Sequence, residues 1–206
     1  MCGRYRIDDG RDSVELHDII EAVNRRSGEP IKTSGEIFPT DLVPVIANSK
    51  SLAPTAFAMR WGYTLEGGRR LINARSETAA TRPMFRDGMR QRRCAVPATN
   101  YYEWRRTGGV RKEKYAIRPA DGELFYMAGI YRIESGRPVF TILTREPAEP
   151  VAFIHDRMPV ILPTDLVADW LNPDRSPGEI LEHAVLSVIP QREQGDEQLS
   201  MTFDKE

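Results

Sequence analysis

Apolar residues at Val14, Leu16, Ile19, Ile20 and Val23 recur at helical spacing and form a single stripe. Asp12-Ser13 offers a cap before the stripe and Ser27-Gly28 a stop after it, so the pattern predicts a helix between them. The period then shortens. Leu42 to Ala47 and Thr55 to Trp61 read as strands around the turn-like Asn48-Ser49-Lys50-Ser51. Leu71 to Arg75 reads as a short strand entering a helix near Ser76 or Thr78, and residues 79–91 as a basic helical segment. Further on, strands dominate: Cys94 to Pro97, Tyr101 to Arg106, Val110 to Ile117, Phe125 to Arg132, Pro138 to Thr144 and Met158 to Leu162. Thr107-Gly108-Gly109 and Ser135-Gly136 are hairpin turns between them. Thr164 caps a last apolar helix face of Leu166, Val167, Trp170 and Leu171, which Pro173 stops. Hairpins outnumber β-α-β units, which predicts a single α+β domain: a mainly antiparallel, partly barrel-like sheet with flanking helices. The expected domain covers 1–190, and the polar residues 191–206 read as a frayed tail.

Composition narrows the class. The chain has 206 residues, 40% hydrophobic and 29% charged, enough for one sizeable core. No apolar run reaches the ~20 residues of a membrane span. Arg4, Arg6, Asp8 and Asp9 argue against a secretory signal, and two isolated cysteines, Cys2 and Cys94, suit a reducing cytoplasm. Two Cys and three scattered His lack ligand spacing, so no metal and no cofactor is expected. The net charge of −1 does not advertise a nucleic-acid binder. Its distribution is more telling: Arg69, Arg70, Arg75, Arg82, Arg86, Arg90, Arg92 and Arg93 face only Glu77 and Asp87. Such a run is either a phosphate-holding face or a solvated helix surface.

Cys2 and three short segments stand out, the segments because polar residues sit where packing alone would not ask for them. Cys2 follows the initiator methionine and is small enough for Met1 to be removed. A chain beginning at cysteine carries an amine and a thiol on adjacent carbons, with ordinary pKa values of about 8 and 8.5. That pair can turn an aldehyde into an imine and then close a thiazolidine. In Leu71-Ile72-Asn73-Ala74-Arg75-Ser76-Glu77, alternation puts Asn73 and Arg75 on one face, an amide to position a nucleophile and a guanidinium to grip an anion. The alternative is a helix cap and a surface arginine. In Tyr101-Tyr102-Glu103-Trp104, Tyr101 and Glu103 share a face, where desolvation would raise the carboxyl towards neutrality. The alternative is a solvent-facing Glu103 paired with Lys112 or Lys114. His155 lies between Ile154 and Asp156-Arg157-Met158-Pro159 in a loop suited to a proton shuttle; His17 and His183 read as ordinary helix residues.

Taken in order, Met1-Cys2-Gly3-Arg4-Tyr5, Phe38-Pro39-Thr40, Trp61-Gly62, Ile72 to Glu77, Cys94-Ala95-Val96-Pro97, Tyr102-Glu103-Trp104 and Ile154 to Pro159 resemble the SOS response-associated peptidase (SRAP) family. The resemblance runs from residue 2 to about residue 172. It implies an abasic-site sensor that binds single-stranded DNA and, once Met1 is removed, forms a covalent thiazolidine crosslink through Cys2. It also implies thiol autopeptidase and DNA lyase-type activity in a monomeric, nucleoid-associated protein. By matching motif, Cys2 is the nucleophile, Asn73 positions its amine, Glu103 moves protons, and His155 assists sugar ring opening. The implied DNA contacts are Arg4, Pro39, Thr40, Arg75, Arg86, Trp104, Thr144 and Arg157. A cysteine peptidase using Cys2, and a non-covalent single-strand binding module, remain as alternatives. Two positions depart from the family pattern. Tyr63 stands where a proline and a second tryptophan commonly follow Trp61-Gly62. Asn100 replaces a glycine, in a turn that Asn can accommodate with left-handed angles.

Overall fold

The computed structural model describes residues 2–8, 13–108 and 111–193, with the backbone alone at 111, 198 and 199. The strands are β1 (Arg4–Ile7), β2 (Gly35–Ile37), β3 (Leu42–Asn48), β4 (Pro54–Trp61), β5 (Tyr63–Thr64), β6 (Arg70–Leu71), β7 (Asn73–Arg75) and β8 (Arg93–Ala98). They continue as β9 (Asn100–Arg106), β10 (Arg111–Pro119), β11 (Phe125–Glu134), β12 (Arg137–Arg145), β13 (Met158–Pro159), β14 (Ile161–Leu162), β15 (Val188–Arg192) and β16 (Gln198–Leu199). The helices are α1 (Val14–Asn24), α2 (Ser76–Ala79), α3 (Pro83–Gln91), α4 (Val167–Leu171) and α5 (Pro177–Glu182).

Strand β12 pairs with β11 on one side and with β4 on the other, which closes the ring β12-β4-β3-β8-β11 into a five-stranded barrel. Only the β4–β12 contact in that ring is parallel. Closure pairs the backbone edges that an open sheet would leave exposed. Alternation divides the barrel strands between two packed clusters. Val43, Val45, Met59, Trp61, Val96, Met127, Phe140 and Ile142 join Tyr5, Ile7, Ile37 and Tyr101 of a second sheet. Ala95, Ala128, Ile130 and Leu143 point the other way, against Ile19 and Val23 of α1, Met89 of α3 and Trp170 of α4. With both faces covered, every residue of β8 is buried. The second sheet runs β15-β10-β9-β1-β2, with β16 also on β10. It draws the start of the chain into the core, because β1 is sandwiched between β9 and β2. No helix among the described residues is long and apolar enough to cross a membrane.

The expected α+β fold is the one found, with local differences. Ser13 caps α1, its hydroxyl accepting from the Leu16 amide at 3.2 Å, but Val14 is the first helical residue and lies 80% exposed, outside the stripe. Asp12 and Gly109 lie outside the described residues. The expected 79–91 helix is two, because Pro83 has no amide to continue a helix and instead starts α3. Asn73 and Ala74 are buried, whereas Arg75 is exposed where β7 turns into α2. Asn100 adopts extended rather than left-handed angles and pairs with Arg6. The expected Met158–Leu162 strand is split, because β13 pairs with β12 while β14 has moved to β11. Thr164 begins a 3-10 turn and makes no side-chain cap. Pairing also continues past residue 190: Gln191 and Arg192 sit on β10, as do Gln198 and Leu199. Tyr63, which follows Trp61-Gly62 in this chain, is buried against Phe85 with Arg132 over its ring.

Among the described glycines with positive φ, Gly62 is the most tightly packed. Its φ is +104°, its amide donates to the Phe140 carbonyl at 2.8 Å, and a Cβ there would meet Ile72 Cγ2 at 3.2 Å. Gly62→Ala should therefore destabilise the protein by roughly 1–3 kcal/mol in urea unfolding, since backbone strain and overpacking act together. An unchanged midpoint would count against this packing.

Candidate active site

Cys2 is fully buried, although it is nearly the first residue of the chain. Two features hold it. β1 pairs with β9 in the register Tyr5 opposite Tyr101, and the Asn73 side-chain amide donates from Nδ2 to the Cys2 carbonyl at 2.8 Å. Asn73 reaches that carbonyl because β7 lies parallel to β12, Asn73 beside Ile142. The Cys2 thiol donates to the Arg4 carbonyl at 3.7 Å. Burial raises the thiol far above its ordinary value, and the Glu103 carboxylate adds to the rise.

Glu103 is 4% exposed and projects from β9 on the face it shares with Tyr101. Burial raises its carboxyl to about 7, against the pull of nearby positive charge and of the Trp104 backbone amide. The lysines considered as surface partners lie elsewhere. Lys114 pairs across the ladder with Trp104 and Lys112 with Arg106, whereas Glu103 is opposite Tyr115. Burial therefore tunes this carboxyl close to the pH at which it can both give and take a proton.

His155 is carried in by the loop after β12. Phe153, two residues earlier, packs edge-on against Tyr115 at 5.6 Å, and Arg105 lies over its ring at 5.3 Å. Because Tyr115 is opposite Glu103, this packing brings the loop to the level of the carboxylate. His155 Nδ1 lies against a donor and an acceptor, suited to its two protonation states. Unprotonated, it accepts from the Arg157 amide at 3.0 Å; protonated, it donates to Asp156 Oδ1 at 2.7 Å. Burial lowers the imidazole, nearby positive charge lowers it further, and Asp156 opposes the shift. Asp156 was visible in the sequence only as a flanking acid.

The expected DNA contacts fall into two groups. Arg75 and Arg86 are exposed. Arg4 is half-buried, its guanidinium 4.4 Å from the centre of the Phe38 ring and 4.9 Å from that of Trp104, with Nη1 on Glu36 at 3.0 Å. Pro39 and Thr40 form a turn in which Phe38 accepts from the Asp41 amide and Thr40 has a φ of 79°. A β-branched residue in the left-handed region is strained, and the bond from Arg60 to the Thr40 carbonyl at 2.7 Å helps hold it there. Thr144 and Arg157 face inward instead. Thr144 is buried and donates to the Ala74 carbonyl at 3.4 Å; Arg157 grips Glu77 with two bonds at 2.7 and 2.8 Å and reaches the Thr144 carbonyl at 2.6 Å. Glu77, at the end of the Ile72 to Glu77 motif, is a partner of Arg157 that local sequence does not reveal. Among the described residues, no group of three or more His, Cys, Asp and Glu could hold a metal ion.

Together these features define a class: an α+β barrel domain with an amino-terminal thiol sealed beside an amide, a near-neutral carboxyl and an imidazole loop. The chain belongs to the SOS response associated peptidase (SRAP) family, whose model matches residues 1–200. It is similar to the abasic site processing protein YoaM of Bacillus subtilis, 33% identical over 198 residues, covering 90% of this chain and 86% of that one. The abasic site processing protein YedK of Escherichia coli is 33% identical over 136 residues, 63% of this chain and 61% of the other. A solved structure from Bacteroides thetaiotaomicron has the same fold, with a TM-score of 0.75 at 24% identity, covering 95% of this chain and 93% of that one.

The Glu103 shift carries a stability consequence. Burial penalises the charged form, so the group's contribution is fully present below its ordinary value of 4.5 and lost as pH rises through about 7. Wild type should therefore lose more stability than Glu103→Gln between pH 5 and 8, by on the order of 2–3 kcal/mol. Urea unfolding of both proteins at the two pH values checks this; parallel losses would contradict it.

Proposed function

We propose that the protein senses abasic sites in single-stranded DNA and captures the ring-opened sugar as a covalent thiazolidine on Cys2 once Met1 has been removed. The observation that carries the reading is the Asn73 hydrogen bond to the Cys2 carbonyl, made beside a carboxyl that burial has tuned to about 7. Asn73 Oδ1 is buried without a partner among the described residues, which leaves it able to accept from the freed Cys2 amine. Kinship with proteins named for abasic site processing supports the substrate.

An abasic deoxyribose is mostly a closed hemiacetal. Opening it needs a proton delivered to the ring oxygen and one taken from the anomeric hydroxyl, work for which His155 and Glu103 are suited. The Cys2 nitrogen then attacks C1′, and loss of water leaves an imine. The sulfur adds to the same carbon as the C=N π bond breaks, and the thiol proton ends on the ring nitrogen. Aldehyde and aminothiol thus give thiazolidine and one water. Exposed Arg75 and Arg86 suit phosphates, and the Arg4–Phe38–Trp104 stack offers an apolar, cationic surface to neighbouring nucleotides. Contacts of this kind read no bases, as a lesion without a base requires.

Met1-free protein incubated with single-stranded abasic DNA should give a band that survives denaturing electrophoresis, with an intact mass equal to protein plus DNA minus water. Cys2→Ala should give none. Cys2→Ser should give only an imine that borohydride traps. An uncleavable extension before Cys2 should abolish crosslinking but would spare a peptidase that uses the thiol alone. A stable wild-type complex that persists in Cys2→Ala would overturn the proposal. Arg75→Ala and Arg86→Ala should each weaken binding to intact and abasic strands alike and flatten the log–log salt slope by about 0.7–1. Fluorescence anisotropy across salt concentrations measures both effects.

A further inference from the structure

We infer that Glu77 is a positioning residue for His155, acting through Arg157 to fasten the loop that carries the imidazole onto the segment that carries Asn73. The inference rests on His155 being a proton carrier in the reaction proposed above, and it deepens that reading by naming what sets the imidazole in place.

Glu77 lies in α2, into which β7 runs directly from Asn73. Its carboxylate accepts both prongs of the Arg157 guanidinium, Oε1 from Nη1 at 2.7 Å and Oε2 from Nη2 at 2.8 Å. Nη2 also donates to the Thr144 carbonyl of β12 at 2.6 Å. The Arg157 side chain is 12% exposed, and its Nε is buried without a hydrogen-bond partner among the described residues. An exposed ion pair with one bond adds little order. This one is shielded, tied to backbone and two-pronged, so a planar guanidinium meets a planar carboxylate in one geometry.

The fastened segments meet at Thr144. It lies opposite Arg75 of β7 on one side and Pro159 of β13 on the other, and its hydroxyl donates to the Ala74 carbonyl at 3.4 Å. Arg157 stands just before β13, and its own amide donates to His155 Nδ1 at 3.0 Å. The loop is anchored at Phe153, which packs on Tyr115, and at Met158, which enters β13. Between those anchors the Arg157 fork ties it to α2. A swing of the Arg157 backbone would withdraw the amide from the imidazole, and Glu77 with Thr144 prevents that swing. The pair keeps its charges throughout: Arg157 holds the Glu77 carboxyl below its ordinary range, and neither side chain gains or loses a proton in the reaction. The other charges acting here are Asp156, Arg106 and the amino terminus on His155, and Arg75 on Glu77.

The test uses Met1-free Glu77→Ala and Arg157→Lys; lysine keeps the charge and loses the fork. The His155 titration is followed by NMR of the imidazole, assigned against His155→Gln. Removing the Glu77 charge would by itself favour the neutral imidazole and lower the midpoint. Losing the Arg157 amide and the packing of the loop acts the other way, so both variants should raise the midpoint by about half a pH unit or more. At saturating single-stranded abasic DNA the crosslinking rate should fall about tenfold in each variant, and Glu77→Ala should keep the wild-type half-saturation. If Glu77 only shields Arg157 from phosphates, Glu77→Ala will bind DNA more tightly with midpoint and rate unchanged, and the inference is overturned. A merely structural pair would lower thermal stability and move neither readout, which overturns it equally. If wild type crosslinks and either the midpoint or the rate keeps its wild-type value in the variants, the inference falls and the function stands. If wild type fails to crosslink, the function falls, and the midpoint alone decides whether Glu77 positions the imidazole. Should Glu77→Ala fail to fold, Arg157→Lys decides by the same midpoint and rate.

Discussion

The site depends on the first residues of the chain being fixed in the interior, where chain ends usually fray. Two hydrogen-bonded strands flank β1, and the Asn73 amide takes hold of the Cys2 carbonyl just ahead of it. The ordering entropy is offset by burying Cys2, Tyr5 and Ile7 in the main cluster. The nucleophile candidate thus acquires a defined position without a helix or a loop of its own. The same burial suppresses the thiolate.

The outer face of this sheet shows how the arrangement is braced. Lys114 is almost completely buried, yet its Nζ lies 2.6 Å from Glu36 Oε1 and 2.8 Å from Glu193 Oε2, above the Tyr102 ring at 4.3 Å. Glu36 uses its other oxygen for Arg4 at 3.0 Å. One carboxylate therefore joins strands β1, β2 and β10. Removing a single partner from such a buried network leaves an uncompensated charge, which is far worse than never having built it. Arg4 is set by the same network, which fixes the guanidinium between Phe38 and Trp104.

Electrostatically, the two proton-transfer candidates are pushed by the same force. Burial raises the Glu103 carboxyl to about 7 and lowers the imidazole of His155. Each moves towards its neutral form, because a low-dielectric setting disfavours charge of either sign. A carboxyl biased towards its acid form and an imidazole biased towards its free-base form are suited to give and take protons within one reaction cycle.

Much of this was legible in the sequence. Strand and helix periodicity gave the α+β class, the Ser13 cap of α1 and the Ser135-Gly136 turn, whose residues both take positive φ. Motif order singled out Cys2, Asn73, Glu103 and His155, and alternation along β9 placed Tyr101 and Glu103 on one face, because side-chain direction in a strand is a local property. What local pattern could not supply was anything that needs two distant segments at once. The barrel closes because β12 pairs with both β4 and β11; Arg157 turns inward because Glu77 waits 80 residues away; Lys114 can be buried because Glu36 and Glu193 converge on it. The hydroxyls of Tyr5 and Tyr101, buried without a partner among the described residues, belong to the same class. Residue type and spacing nominated the candidate chemistry, since nucleophiles and proton carriers are properties of side chains. Burial, partners and the resulting pKa values came from the tertiary structure, since solvent exclusion and hydrogen bonding arise only where separate strands meet.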